Sequence, residues 1–343
     1  MSSVPELFLH QVFQLTLVIA IALLCDRLLN RMRRHRLRYV LWILVLFKAL
    51  IPPVVASPTG LFSLAQSSVE VVSDCGTDVA TNWTSQLLQT LANFPVVLVV
   101  AVGIWATGVA LLVAWTAFRC YMMTTDNLDE ERQRLRCEAL VAGLSDSIGL
   151  RRVPKVRITA TDFGPAVYGL IRPTVVVPLH VLESLTDAEL RPILTHELVH
   201  IRRRDTWVGF LQLCAAIVWW FHPLVWVAIR RLSNALEYVT DDDVVAVGGV
   251  DEHNYAGSLL SVIEAGFASQ PAVGTLGVFS CEVTQHRVTR LINRETSEPA
   301  VWRSWAVAIL LALFLWPGRG LTMVQSIESQ RSAPAISNSM LDE

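Results

Sequence analysis

His196, Glu197 and His200 stand in the order His-Glu-Leu-Val-His. Residues four apart share one face of a helix, so both imidazoles can grip a single ion while Glu197 is held beside whatever else that ion binds. This is the metallopeptidase geometry. The short pattern alone also fits a surface helix with a histidine pair, so its setting matters. Thr186-Asp-Ala-Glu189 is a capping box, in which hydroxyl and carboxylate satisfy free amides at a helix start. The helix it opens runs into His196.

A tetrahedral catalytic zinc needs a third protein ligand and leaves its fourth position for water. Downstream, 232–245 reads as a second helix that places Glu237 and Asp241 four apart on one face. With Glu237 as the ligand, Asp241 can accept the second ring N–H of a zinc histidine. The rival reading makes Asp241, Asp242 and Asp243 an oxygen-only site for magnesium or calcium. Consecutive helical positions diverge by about 100°, so the zinc reading is preferred.

These residues need a scaffold. The pattern over 126–144 is that of a charged amphipathic helix, ended by the 149–154 stretch. Three β-rich runs follow at 155–159, 166–170 and 174–177, divided by Pro and Gly into a small sheet. Gly164, Pro165, Ala166, Val167, Tyr168 and Gly169 form the strand that could pair with an extended substrate. No oxyanion donor stands out, although Tyr168, Tyr238, His253 and His286 qualify by type.

A mean hydropathy of +0.46 and 53% apolar residues over 343 positions point to a membrane protein. The net charge of -2 gives no pull toward nucleic acid, so no direct nucleic-acid partner is expected. Cysteines at 25, 75, 120, 137, 214 and 281 form no CxxC and no paired spacing, which argues against both a disulfide framework and a cysteine–zinc site. Apolar runs at 7–24, 37–55 and 94–118 approach or exceed the roughly 20 residues a spanning helix needs. A fourth run occupies 302–317.

Arg27, Arg31, Arg33, Arg34, Arg36 and Arg38 crowd between the first two runs and mark a cytoplasmic loop. Because this basic cluster follows the first run, that run reads as a retained anchor instead of a cleaved signal. The 57–93 loop has Glu70, Asp74 and Asp78 with no Lys or Arg, and is expected outside. Alternation then makes 119–301 cytoplasmic, flanked by Arg119 and by Arg287, Arg290, Arg294 and Arg303. The 318–343 tail is expected to be external and disordered. Within the cytoplasmic part, 206–229 is apolar, rich in Trp and broken at His222-Pro223. A full crossing there would carry Glu237 away from the histidines, so a re-entrant or interfacial hairpin is expected, with lipid around it and tryptophans at the headgroup level.

Several runs together resemble the BlaR/MecR-type membrane peptidases, the antirepressor family of β-lactam sensor-transducers. They are Tyr168-Gly-Leu-Ile-Arg-Pro, Leu185-Thr-Asp-Ala-Glu-Leu, Thr195-His-Glu-Leu-Val-His-Ile-Arg-Arg-Arg-Asp205, Phe221-His-Pro-Leu-Val-Trp226 and Glu237-Tyr-Val-Thr-Asp-Asp242. The resemblance covers most of the chain. It implies four spans, a cytoplasmic gluzincin-like zinc peptidase domain of α+β type inserted into a multi-pass α-helical membrane protein, ligands His196, His200 and Glu237, and Glu197 as base. It also implies a cytoplasmic protein substrate, such as a transcriptional repressor or the protease itself. Two positions depart from the pattern. Thr240 stands where the family commonly has Cys, and no Ser-x-x-Lys of a penicillin-binding sensor domain occurs in 318–343. The stimulus is therefore expected to enter through the external loop, the spans or another protein.

The expectation is a multi-pass metalloendopeptidase of the inner (cytoplasmic) membrane, of bacterial type, acting in transmembrane signalling, with its site on the cytoplasmic side. A quality-control membrane protease is one alternative. A non-catalytic receptor or scaffold with a structural zinc is the other, although a structural site has no need of the unliganded Glu197. Oligomeric state is not legible.

Overall fold

A computed structural model describes residues 4–51, 95–125, 130–160, 164–268 and 281–293. The expected 57–93 loop, the end of the second apolar run, the fourth run at 302–317 and the 318–343 tail lie outside these residues, as do Arg294 and Arg303. The described chain is mostly helical with one small sheet.

Helices α1 (Val4–Arg31) and α2 (His35–Leu50) are joined by a turn at 32–34, where Arg33 takes φ 54°. Arg27 and Arg31 thus belong to α1, and Arg36 and Arg38 to α2, so the basic loop is shorter than the spacing suggested. α3 (Pro95–Thr125) follows. Among the described residues two helical stretches, Gln11–Arg31 and Val96–Met122, are long and apolar enough to cross a membrane.

α4 (Glu131–Ser147) starts later than expected and continues past Leu144. The sheet has the order β1 (Lys155–Thr159), β3 (Thr174–Pro178), β2 (Ala166–Tyr168), with β1 parallel and β2 antiparallel to β3. β3 is central and buried along its length. β2 stops at Tyr168, short of the expected Leu170, because Gly169 has φ 96°, a backbone conformation open to glycine. α5 (Leu179–Ser184) leads into α6 (Asp187–Arg203), which carries the His-Glu-Leu-Val-His motif.

α6 is the axis of the peptidase part. Its Leu190, Leu194 and Leu198 pack with α4, β1 and β3 through Cys137, Val141, Ile158 and Val175. Its other side, Ile193 and Val199, packs with Val244, Tyr255, Leu259 and Val288. Buried from both sides, 192–199 is held rigidly, as a site needing fixed side-chain directions requires. At the helix start the Glu189 carboxylate accepts hydrogen bonds from the Thr186 backbone N–H (2.9 Å) and hydroxyl (2.8 Å).

α7 (Asp205–Val218) and α8 (Pro223–Gly248) follow, then α9 (Glu252–Ala268) and α10 (Cys281–Ile292). The apolar 223–229 stretch and the Glu237 region form one continuous helix, because nothing between Pro223 and Gly248 breaks it. The α7–α8 pair packs on α1 and α2 through Ala215, Trp219, Val225, Ala228 and Leu232 against Leu15, Ile19, Trp42, Val45 and Leu46. Trp219 is buried rather than placed at a surface, and its indole N–H donates to the Ala49 carbonyl (2.9 Å).

Candidate metal centre

His196 and His200 project from one face of α6, and α8 brings Glu237 against them. His196 Nε2 lies 3.1 Å from His200 Nε2 and 3.3 Å from Glu237 Oε2, while His200 Nε2 lies 4.0 Å from Glu237 Oε1. Among the described residues these three form a group able to hold a metal, with one ligand atom from each and all such atoms within 4.8 Å of one another. Imidazole and carboxylate donors about 2.0–2.2 Å from one tetrahedral ion would sit roughly 3.4 Å apart. The donor types and spacings therefore fit a first-row divalent metal.

The imidazoles are oriented from behind. α6 ends at Arg204 in the left-handed conformation (φ 61°), which starts α7 at once and turns Asp205 back toward the site. Asp205 Oδ2 lies 2.8 Å from His200 Nδ1, so that nitrogen carries the proton and Nε2 presents its lone pair. His196 Nδ1 lies 2.7 Å from the hydroxyl of Tyr255 on α9, and that hydroxyl donates to Asp241 Oδ1 (2.7 Å). Since the phenol proton goes to Asp241, Nδ1–H of His196 donates to the phenol oxygen, and its Nε2 also faces the cluster. The expected direct bond from Asp241 to a histidine is replaced by this relay: Asp241 Oδ1 is 3.5 Å from His196 Nδ1.

Arg287 on α10 closes the site. Its guanidinium meets Asp241 through Nε (3.0 Å) and Nη2 (2.7 Å), and reaches Glu237 Oε2 through Nη1 (3.0 Å). Burial alone would raise the Glu237 carboxyl, but Arg287 and the two histidines outweigh it and hold it well below the usual carboxylate range. Glu197, buried on α6, is pushed up to about 7 by desolvation, with Glu237 adding to the rise and His200 and Arg287 opposing it. A buried carboxyl that titrates near neutrality can both take and return a proton.

Neither Asp242 nor Asp243 joins Asp241 on one ion. Asp242 pairs with Arg290, and Asp243 with Arg36 (2.8 Å) and Arg203 (3.4 Å). Tyr238, one of the oxyanion candidates, packs edge-on to His35 and beneath the Arg290 guanidinium. The 164–169 stretch runs into β2, an edge strand lying against α6. Sequence reasoning placed none of Asp205, Tyr255 and Arg287 at the metal centre, and read Arg287 only as part of a cytoplasmic arginine flank. Asp205 carried a local signal, five residues beyond His200 at the end of the motif run, while the other two carried none.

The family described as BlaR1 peptidase M56 matches residues 5–291. The chain is 31% identical over 97 residues to proteins named methicillin resistance mecR1 protein in Staphylococcus aureus and Staphylococcus epidermidis, covering 28% of this chain and 17% of theirs. It is 24% identical over 151 residues to a protein named regulatory protein BlaR1 in Bacillus licheniformis, covering 43% of this chain and 25% of that protein. The aligned stretches thus span a quarter or less of these relatives' length. The family match runs from α1 into the last turn of α10 and encloses every side chain of the metal cluster, and the chain belongs to the BlaR1 peptidase M56 family.

Proposed function

We propose that the protein is a multi-pass membrane zinc metalloendopeptidase that cleaves a cytoplasmic protein, a transcriptional repressor or the protease itself, in transmembrane signalling. The observation that carries this reading is the convergence of His196, His200 and Glu237, with the buried Glu197 next to His196 on the same helix. In this reading the peptidase domain, 119–301, is gluzincin-like and faces the cytoplasm between the third and fourth spans. Support for the orientation comes from the arginine-rich turn between α1 and α2, since such clusters stay inside.

His196, His200 and Glu237 would hold the zinc, which suits two imidazoles and one carboxylate. When bound, zinc supplies Lewis-acid polarisation of the scissile carbonyl and acidifies a water. Glu197 takes the proton of the attacking water and passes it to the leaving amine, so one carboxyl serves both halves of the hydrolysis. Among the described residues β2 is an edge strand, and its outer backbone would pair with an extended substrate near the motif helix.

The test compares the full-length protein with Glu197→Ala in detergent micelles. Both should bind one zinc per chain, and cleavage of self or of a co-expressed repressor should fall by a factor of about 10²–10⁴ or more in the variant. Bound zinc with identical fragment patterns in both would sink the peptidase assignment.

A further inference from the structure

Asp241 is fully buried on the ligand helix α8. A carboxylate so placed needs its charge matched and its oxygens hydrogen-bonded. Arg287 does both with its planar fork, Nε to Oδ2 and Nη2 to Oδ1. Two bonds to one carboxylate leave a guanidinium no freedom to swivel. The third nitrogen, Nη1, is therefore delivered to a fixed point, and at that point it meets Glu237 Oε2 at 3.0 Å. The same Asp241 oxygen that receives Nη2 also accepts the Tyr255 hydroxyl, whose oxygen in turn faces His196 Nδ1.

One carboxylate thus has two arms. One runs through Arg287 to Glu237, the other through Tyr255 to His196, and the two ligands come from different helices, α8 and α6. We infer that Arg287 and Tyr255, neither of them a ligand, are positioning residues that hold Glu237 and His196 in mutual register through Asp241. The inference rests on the metallopeptidase reading above. Lysine at 287 could supply charge but not the fork, and phenylalanine at 255 would keep the ring while removing the oxygen that fixes the His196 tautomer.

The experiment uses full-length protein in micelles, and reads zinc affinity by competition with a chromogenic chelator and ligand geometry from the visible spectrum of the cobalt(II)-loaded form. Arg287→Met should weaken zinc binding by a factor of about 10–100, and Tyr255→Phe by about 10. Arg287→Lys should recover only part of the loss, and each variant should shift the cobalt bands. A merely structural role would lower the thermal midpoint and leave affinity and spectrum of the folded fraction unchanged. Wild-type affinity and spectrum in all three variants, with wild type itself binding zinc, would overturn the positioning role and leave the peptidase reading intact. Absence of metal from the wild type would remove both. Should Arg287→Met fail to fold, Arg287→Lys decides the arm to Glu237 and Tyr255→Phe, which deletes one oxygen, the arm to His196.

Discussion

His200 owes its direction to Asp205, whose carboxylate is buried within 2.8 Å of Nδ1. That bond fixes the tautomer and raises the basicity of Nε2. Asp205→Ala is expected to weaken zinc binding by a factor of about 10–100 with the fold retained, measured by chelator competition and far-UV circular dichroism; an undiminished affinity would count against the role. The ease of finding these residues in sequence follows their separation. His196, Glu197 and His200 are legible because a helix imposes the spacing, and Glu237 with Asp241 because two carboxylates four apart share a face. Tyr255 and Arg287 lie 59 and 91 positions from His196, and no local period links them to it. Their contacts arise from packing of α9 and α10 on α6 and α8, which a single sequence does not encode as a pattern.

At the level of elements, the short strands were legible to within two residues because Pro and Gly punctuate them. The boundary inside 223–248 was not. A change from apolar to polar composition near Arg230 reads as a junction, yet helix continuity depends on the absence of breakers, and α8 runs straight through. It can therefore carry a membrane-type face at one end and a metal ligand at the other. The β2–β3 connection depends on one backbone conformation. Gly169 has φ 96°, and a Cβ there would lie 2.7 Å from the Arg172 carbonyl oxygen, a backbone atom that cannot step aside cheaply. Gly169→Ala should cost about 1–3 kcal/mol, and by disturbing the edge strand it should raise KM for a peptide substrate more than it lowers kcat. Thermal unfolding and steady-state kinetics check the two halves, and an unchanged KM would remove β2 from substrate binding.

For the whole molecule, the question is how α7 and α8 lie against α1 and α2. Two contacts pin the chain near the arginine-rich turn: the guanidinium of Arg203, which ends α6 just before α7, lies over the Tyr39 ring, and Arg231 within α8 pairs with Asp26 (3.5 Å), which also holds Arg38 (2.7 Å) and the Trp42 indole (3.0 Å). The tip lies at the opposite end of α2, where Trp219 meets the Ala49 carbonyl and stacks on Phe8. A chain that enters and returns on one side satisfies all of these contacts, and we propose that 206–229 is a re-entrant hairpin with both ends cytoplasmic. Single cysteines in a cysteine-free background test this in inverted membrane vesicles with an impermeant maleimide. Ile171→Cys, at a position 87% exposed beside β2, should label quickly. Phe221→Cys, at the tip, should resist the reagent from that side until the membrane is dissolved. Equal labelling of both positions in intact vesicles would place the tip in cytoplasmic water and refute the hairpin.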